Sequence, residues 1–261
     1  MPIDFQGNSP QRITFGGKSV QRVTYNGTEV WAAHILPEKD SLENMSWADI
    51  SKVCRAGKAK EYWQLGDVKY LTAAHAVQII GFDHDLAADP DEYGRERTGL
   101  SLLWVNGYAA AAMNGTGNYT ATSWYNEEAS LRSTLRASAL PSLLSSAALA
   151  EARPYIAAVT KEYFTVADGM RNTIADMLWL PSYRELFGGA ASGFGSEGTQ
   201  YAFYAAGNSK IKKAANGAAC NWWTRSPTGS SAQFYATASS GAAAEYWVSA
   251  SAVYYAPGFC I

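Results

Sequence analysis

The spacing of hydrophobic and polar positions changes along this chain, and each change marks an element. Two ten-residue blocks run in parallel near the start, Gln11-Arg12-Ile13-Thr14-Phe15-Gly16-Gly17-Lys18-Ser19-Val20 and Gln21-Arg22-Val23-Thr24-Tyr25-Asn26-Gly27-Thr28-Glu29-Val30. A degenerate earlier copy is Ile3-Asp4-Phe5-Gln6-Gly7-Asn8-Ser9-Pro10. In each copy an apolar/polar/aromatic triplet alternates as a strand does, and an xG step comes after it, where glycine takes the positive φ of a hairpin turn. The pattern predicts β-hairpins over residues 1–35. So small a module has too little core to stand alone, and either docks on a neighbour, on copies of itself, or serves as a β-rich lead-in to the next domain.

Beyond Pro37-Glu38-Lys39-Asp40 the period shifts to that of a helix. Ser46 followed by Asp49 has capping-box spacing, and Trp47, Ile50, Val53 and Cys54 recur on one face until Gly57. A turn at Gly66-Asp67 precedes Val77-Gln78-Ile79-Ile80-Gly81-Phe82, which reads as a buried strand. Between Asn126 and Leu149, Leu131, Leu135, Leu140, Leu143 and Leu144 are interrupted by Pro141, so one helix should end there and a second begin. Met177-Leu178-Trp179-Leu180 reads as a strand stopped by Pro181. From Ala218 onward glycines, β-branched and aromatic residues break any helical stripe, which favours short strands and loops. Helices early and strands late predict an α+β fold, with the larger domain spanning 36–261.

Composition narrows the function. Hydrophobic residues make up 48% and aromatic residues 13% of 261, far more buriable surface than a disordered chain carries. A net charge of −2 gives no general attraction to nucleic acid or anionic membranes. The opening has neither a basic n-region nor an apolar h-region, and no run approaches the roughly 18 apolar residues of a membrane span, so neither a secretory signal nor membrane insertion is expected. Export would then need another route, such as lysis. Cys54, Cys220 and Cys260 are widely spaced without CxxC, the mark of free thiols rather than a disulfide framework or a zinc site.

Several constellations invite chemistry. Asp83-His84-Asp85 with Asp89, Asp91 and Glu92 could hold calcium, but glycine is missing where a tight calcium loop needs it and Arg95 and Arg97 come next, which favours a solvated acidic loop. His34 and His75 share no ligand spacing and read as structural. Gly193-Phe194-Gly195-Ser196-Glu197-Gly198 lacks both a leading strand and a GK[ST] ending, so it is no phosphate loop. Glu151 with Glu162, or Asp168 with Asp176, could be posed as hydrolytic pairs, but such a pair has meaning only at a known separation. No enzyme, metal or cofactor is expected.

Between Thr228 and Ala256 about two-thirds of the residues are Ala, Ser or Tyr, and Glu245 is the sole charge. Tyr with small neighbours is what adaptable binding surfaces use, because Tyr offers rigid amphipathic area at low entropic cost. A low-complexity β segment packed inside the fold is the alternative.

Asn221-Trp222-Trp223-Thr224-Arg225-Ser226-Pro227, the upstream Gly198-Thr199-Gln200-Tyr201-Ala202-Phe203-Tyr204, Gly207-Asn208-Ser209-Lys210, Trp179-Leu180-Pro181-Ser182 and the final Ala256-Pro257-Gly258-Phe259-Cys260-Ile261 resemble a domain common in gut bacteria and their phages. That domain, over roughly residues 40–261, is similar to C-type-lectin-like folds. Some members resemble the variable proteins of diversity-generating retroelements, in which adenine-directed mutagenesis rewrites codons near the C-terminus. The N-terminal repeat similarly resembles segments of tail proteins from phages of Gram-positive gut bacteria.

The resemblance implies a compositional rule. An AAC codon randomised at both adenines yields Asn, Ser, Thr, Tyr, Asp, His, Ala, Gly, Val and similar residues, but never Lys, Glu, Gln, Met or Trp. The excess of Ala, Ser, Tyr and Thr fits, whereas Gln233, Glu245 and Trp247 should be fixed. Trp222, Trp223, Arg225 and Pro227 are then expected as scaffold, with the arginine fork satisfying buried carbonyls or a carboxylate. The variable region is placed at about 218–256. Its expected ligand-binding positions are Ala219, Cys220, Thr228, Ser230, Ser231, Tyr235, Ala238, Ser240, Ala242, Ala244, Tyr246, Ala250, Ala252, Tyr254 and Tyr255. Neither a Glu-Pro-Asn nor a Trp-Asn-Asp motif is present, which argues against calcium-dependent sugar binding. The expected function is that of a phage tail or tail-tip adhesin in the virion. It would bind a host surface protein or glycan, attach to tail proteins through residues 1–35, and form a homo-oligomer, a trimer by tail symmetry. A phage-associated surface hydrolase and a structural or cell-surface module are the alternatives.

Overall fold

The computed structural model describes residues 13–15, 18–20, 22–25, 28–32, 36–90, 94–114, 134–165, 170–189, 197–229 and 232–261. The chain divides into two units, Met1–Glu38 and Lys39–Ile261, a few residues beyond the boundary expected at 35/36. In the first unit β1 (Ile13–Phe15) pairs antiparallel with β2 (Lys18–Val20), and β3 (Arg22–Tyr25) with β4 (Thr28–Ala32). Each ten-residue repeat thus supplies a hairpin arm pair. The degenerate copy at Ile3–Pro10 lies outside the described residues.

The second unit begins with α1 (Trp47–Arg55), capped by Ser46, whose Oγ accepts the Asp49 N–H at 3.1 Å. The predicted face, Trp47, Ile50, Val53 and Cys54, is buried. A short α2 (Ala59–Tyr62) leads into β5 (Val68–Thr72), β6 (His75–Phe82), β7 (Leu100–Trp104) and the two-residue β8 (Ala109–Ala110). A π-helical turn at Leu135–Ala139 runs directly into α3 (Leu140–Leu144). One helical segment thus ends and a short second one begins at the proline, as expected, although the two are continuous. Before the proline the backbone widens to an i→i−5 bond, Leu140 N to Leu135 O, and the ring falls at the start of α3, where no N–H is missed.

Next come β9 (Val159–Phe164), β10 (Arg171–Asp176), α4 (Tyr183–Phe187) and α5 (Ala202–Ala205). The predicted strand at Met177–Leu180 reduces to an isolated bridge: Trp179 and Gly258 exchange N–H···O bonds of 3.0 and 2.7 Å. Close approach is possible because residue 258 is glycine, since a Cβ there would lie within 2.7 Å of the Trp179 ring. The C-terminal part holds β11 (Lys212–Lys213), β12 (Ala219–Cys220), β13 (Trp222–Pro227), β14 (Gln233–Thr237), β15 (Ala243–Trp247), β16 (Tyr254–Tyr255) and β17 (Gly258–Cys260). These are the strands and loops that the broken apolar pattern predicts.

Two larger sheets organise the unit, of order β17-β7-β6-β5 and β15-β14-β13-β16-β8. They are joined along one antiparallel ribbon, because β7 runs on into β8 and β16 into β17, with Trp104 N bonded to Pro257 O and Tyr108 N to Tyr255 O. The architecture is mixed α+β, with strands both early and late. The expectation of helices early and strands late fails because β5 to β7 pair with the last strand of the chain. Trp104, Trp179, Trp222, Trp223, Phe234 and Phe259 are fully buried, so the large aromatics build the core.

Candidate functional site

The segment WWTRSP forms β13, buried on both faces. An interior strand can carry polar side chains only if each finds a partner. Trp222 Nε1 donates to Lys210 O at 2.9 Å and Trp223 Nε1 to Ala111 O at 2.8 Å. Arg225 is the hub. Its fork donates to both oxygens of Glu185 at 2.6 and 2.8 Å, and it also reaches the carbonyls of Leu180 and Glu162, both at 2.8 Å. Glu185 is aimed by the capping box of α4, in which its Oε2 accepts the Ser182 N–H at 2.8 Å while its own N–H donates to Ser182 Oγ at 3.0 Å.

A second cation completes this network. The buried Lys161 ammonium contacts Asp85, donates to the Tyr201 hydroxyl at 2.7 Å, lies 3.4 Å from Glu185 and sits 3.7 Å above the Trp179 ring. Asp85 also accepts from Ser101 Oγ at 2.6 Å and from the Cys260 thiol at 3.3 Å. Burial alone would raise both carboxylic acids, but the adjacent Lys161 and His84 hold Asp85 below its usual range, and Arg225 and Lys161 do the same for Glu185. Glu197 differs. It accepts from Ser226 Oγ at 2.6 Å, its other oxygen has no partner among the described residues, and it is pushed up to about 7 by burial.

The acidic loop splits between two roles. Asp85 belongs to the buried network rather than to a solvated loop, and Asp83 pairs with Arg95 at 2.7 Å and Lys60 at 3.0 Å. Asp91, Glu92 and Asp168 lie outside the described residues. Among the described residues no group of three or more His, Cys, Asp or Glu side chains could hold a metal ion. All three cysteines are free and buried. A groove of about 150 Å³ opens beside α1, lined by Ser51, Cys54, Arg55, Arg95, Arg97 and Tyr155 among others. It reaches none of the network's carboxylates.

The expected binding positions divide by burial. Ala219, Ser240, Ala242 and Ala252 are exposed, while Ala238, Ala244, Tyr246, Ala250 and Tyr254 are half-buried. Cys220, Thr228, Tyr235 and Tyr255 are buried and leave the exposed set. Each has a structural cause: Tyr235 packs on Tyr183 at 4.9 Å, Tyr255 on Tyr108 at 5.5 Å, Thr228 closes the β13–β14 turn through Gln233 O, and Cys220 pairs with Lys212 across β11–β12. Ser230 and Ser231 lie outside the described residues. Trp222, Trp223, Arg225 and Pro227, read as scaffold, are all buried.

Of the exposed positions, Ser240, Ala242 and Ala252 lie in the turns flanking β15 and Ala219 lies on β12, while β15 itself carries the half-buried Ala244 and Tyr246. The turn before β15 is closed by Ala238 N to Ala242 O at 2.7 Å with Gly241 at φ +85°, and Asn221 Oδ1 takes the Ser239 N–H at 2.8 Å. Trp247, expected only as a fixed position, is 55% exposed at the far end of the strand. Sequence reasoning also missed Lys161, Glu185 and Glu197. Ser182-x-x-Glu185 had a detectable capping-box spacing, but nothing local marked Lys161.

A family described as Domain of unknown function (DUF6273) matches residues 110–261, more than half of the chain, and the chain belongs to that family. No curated protein and no solved structure matches it. The matched stretch contains Lys161, Glu185, Tyr201, Arg225 and the exposed strand β15. Asp85 and Ser101, which complete the network, come from outside it.

Proposed function

We propose that this protein is a ligand-binding protein whose recognition face is β15 with the turns at 238–242 and 249–252. The carrying observation is a contrast within one sheet. β13 and β14 are buried and β13 is pinned by Arg225 and Glu185, while the next strand exposes Ala243, Glu245 and Trp247 and the turns flanking it expose small side chains, among them Ser240, Ala242, Ser249 and Ala252. Small side chains on a rigid frame can be exchanged without disturbing the backbone that presents them. The finer reading is a phage tail or tail-tip adhesin whose face is rewritten by a retroelement, with copies on a virion adding avidity to weak single sites. It is supported by the Ala, Ser and Tyr excess and by where those residues fall. The strongly buried carboxylates with shifted pKa, Asp85, Glu185 and Glu197, are all inside the fold, and the exposed Asp40 and Asp49 are held low by hydrogen bonds to their own sequence neighbours, which favours binding over hydrolysis.

Two measurements test this. Sibling genes should vary at Ala219, Ser240, Ala242, Ala250 and Ala252 and hold Tyr235, Tyr255 and the β13 residues constant, beside an Asn-rich template repeat and a reverse transcriptase. Variation spread over the buried positions sinks the diversification reading. Labelled protein should bind cells within a panel of gut bacteria, and Ser240→Trp with Ala242→Asp should abolish that binding; unaltered binding rules this face out.

A further inference from the structure

The two larger sheets present four edges, and three of them are closed. β5 is bulged between Tyr70 and Thr72, and its outward Tyr70 N–H is taken by the Glu43 carboxylate at 2.7 Å. β8 is two residues long. β17 is covered by its bridges to Trp179 and Ala157. Such covers are how folded proteins keep sheet edges from pairing with other chains. β10, at the edge of the two-stranded sheet, carries Arg171 and Asp176 at its ends.

β15 has none of these devices. Its five residues pair with β14 in unbroken register, from Thr237↔Ala243 to Gln233↔Trp247, without proline or bulge. The bonds Ala238 N to Ala242 O and Val248 N to Ala232 O show that even-numbered residues turn their peptide groups toward β14. The alternation of an antiparallel ladder then points those of Ala243, Glu245 and Trp247 outward; the Trp247 carbonyl accepts the Ala250 N–H at 2.8 Å, and among the described residues no further strand pairs with this edge. The same three residues carry the exposed side chains.

Charge decides what fits this edge. A second copy paired in full antiparallel register would set Glu245 opposite Glu245, and like charges directly opposite destabilise a strand pair. The single acid at the centre of an otherwise uncharged strand instead complements a basic residue. We propose that β15 recognises an extended segment of a partner protein by strand addition, selecting Lys or Arg opposite Glu245 and an apolar or aromatic residue opposite Trp247. This rests on the reading of β15 as part of a binding face, and it names the ligand class.

The probes are synthetic peptides of alternating Thr and Val with Lys, Gln or Glu at the centre, followed by fluorescence anisotropy and amide hydrogen exchange. The Lys-centred peptide should slow exchange at Ala243, Glu245 and Trp247 and bind roughly fivefold or more tighter than the Glu-centred one, as opposed charge pairs across strands predict. Glu245→Lys should invert that order. Ala243→Pro should abolish binding without breaking the β14 ladder, because the N–H it removes points away from β14. Equal binding of all three peptides, or no protection at the three amides, overturns the proposal. So does self-association of Glu245→Gln that protects those amides without peptide. If Ser240→Trp with Ala242→Asp abolishes cell binding while Ala243→Pro and Glu245→Lys do not, strand addition fails and the binding face stands; if none of them matters, both fall.

Discussion

Arg225 and Gly258 show how little freedom single residues have inside this frame. Arg225 Nη1 and Nη2 hold the two oxygens of Glu185, while Nε holds the Glu162 carbonyl and Nη1 also the Leu180 carbonyl, a geometry that only a planar fork supplies. Arg225→Lys keeps the charge but cannot reach all four acceptors. It should lower unfolding free energy in urea by about 3–5 kcal/mol, the cost of leaving a buried carboxylate poorly paired. Gly258→Ala should cost about 1–3 kcal/mol by overpacking, because the added methyl meets the Trp179 ring. A loss below a few tenths of a kcal/mol would show that the Trp179–Gly258 bridge gives way freely.

Among the elements, those set by neighbours in sequence were legible and those set by distant partners were not. α1 could be read from Ser46, Asp49 and its four apolar residues because the cap and the buried face lie within three turns of chain. Trp179 looked like strand because its neighbours are apolar, yet its ladder partner among the described residues is Gly258, which no local pattern reveals. Lys161 and Asp85 are 76 residues apart, and neither position carries a mark of the other. For β14 and β15, composition announced strands but not sides: Tyr235 and Tyr246 are the same residue type, and the first is interior, packed on Tyr183, while the second is half-buried. Ser240→Asp, Ala242→Lys and Ala252→Glu should each shift stability by no more than about 0.5 kcal/mol. Tyr235→Ala should cost about 3 kcal/mol or more, measured in the same urea titrations.

At the scale of the whole molecule, two buried titratable groups outside the Arg225–Lys161 network give stability a pH signature. Burial raises Glu197 from 4.5 to about 7, so between those values the folded state binds more protons than the unfolded, and stability falls as pH rises. Burial lowers Lys212 from 10.5 to about 7, so between 7 and 10.5 the unfolded state binds more protons, and stability rises with pH. The two slopes meet in a minimum near neutrality, on the order of a few kcal/mol deep. Thermal unfolding from pH 4.5 to 8.5, below the range in which the buried thiols of Cys54, Cys220 and Cys260, raised by burial, pull stability down again, should show it. Glu197→Gln should flatten the acid side, which the lowered His75 and His84 partly oppose, and Lys212→Met the alkaline side. A profile flat across that range would mean that neither group is held as its surroundings require. The ribbon that joins the two sheets bears on time rather than on energy. β17 completes the sheet begun by β5, β6 and β7, so a ribosome must finish residues 258–260 before that sheet can close. Loop-closure entropy grows only slowly with length, so the delay costs little stability but makes folding slow. Until β17 arrives, the strands from residues 68–104 wait with an open edge, the kind of exposure through which partly folded chains associate.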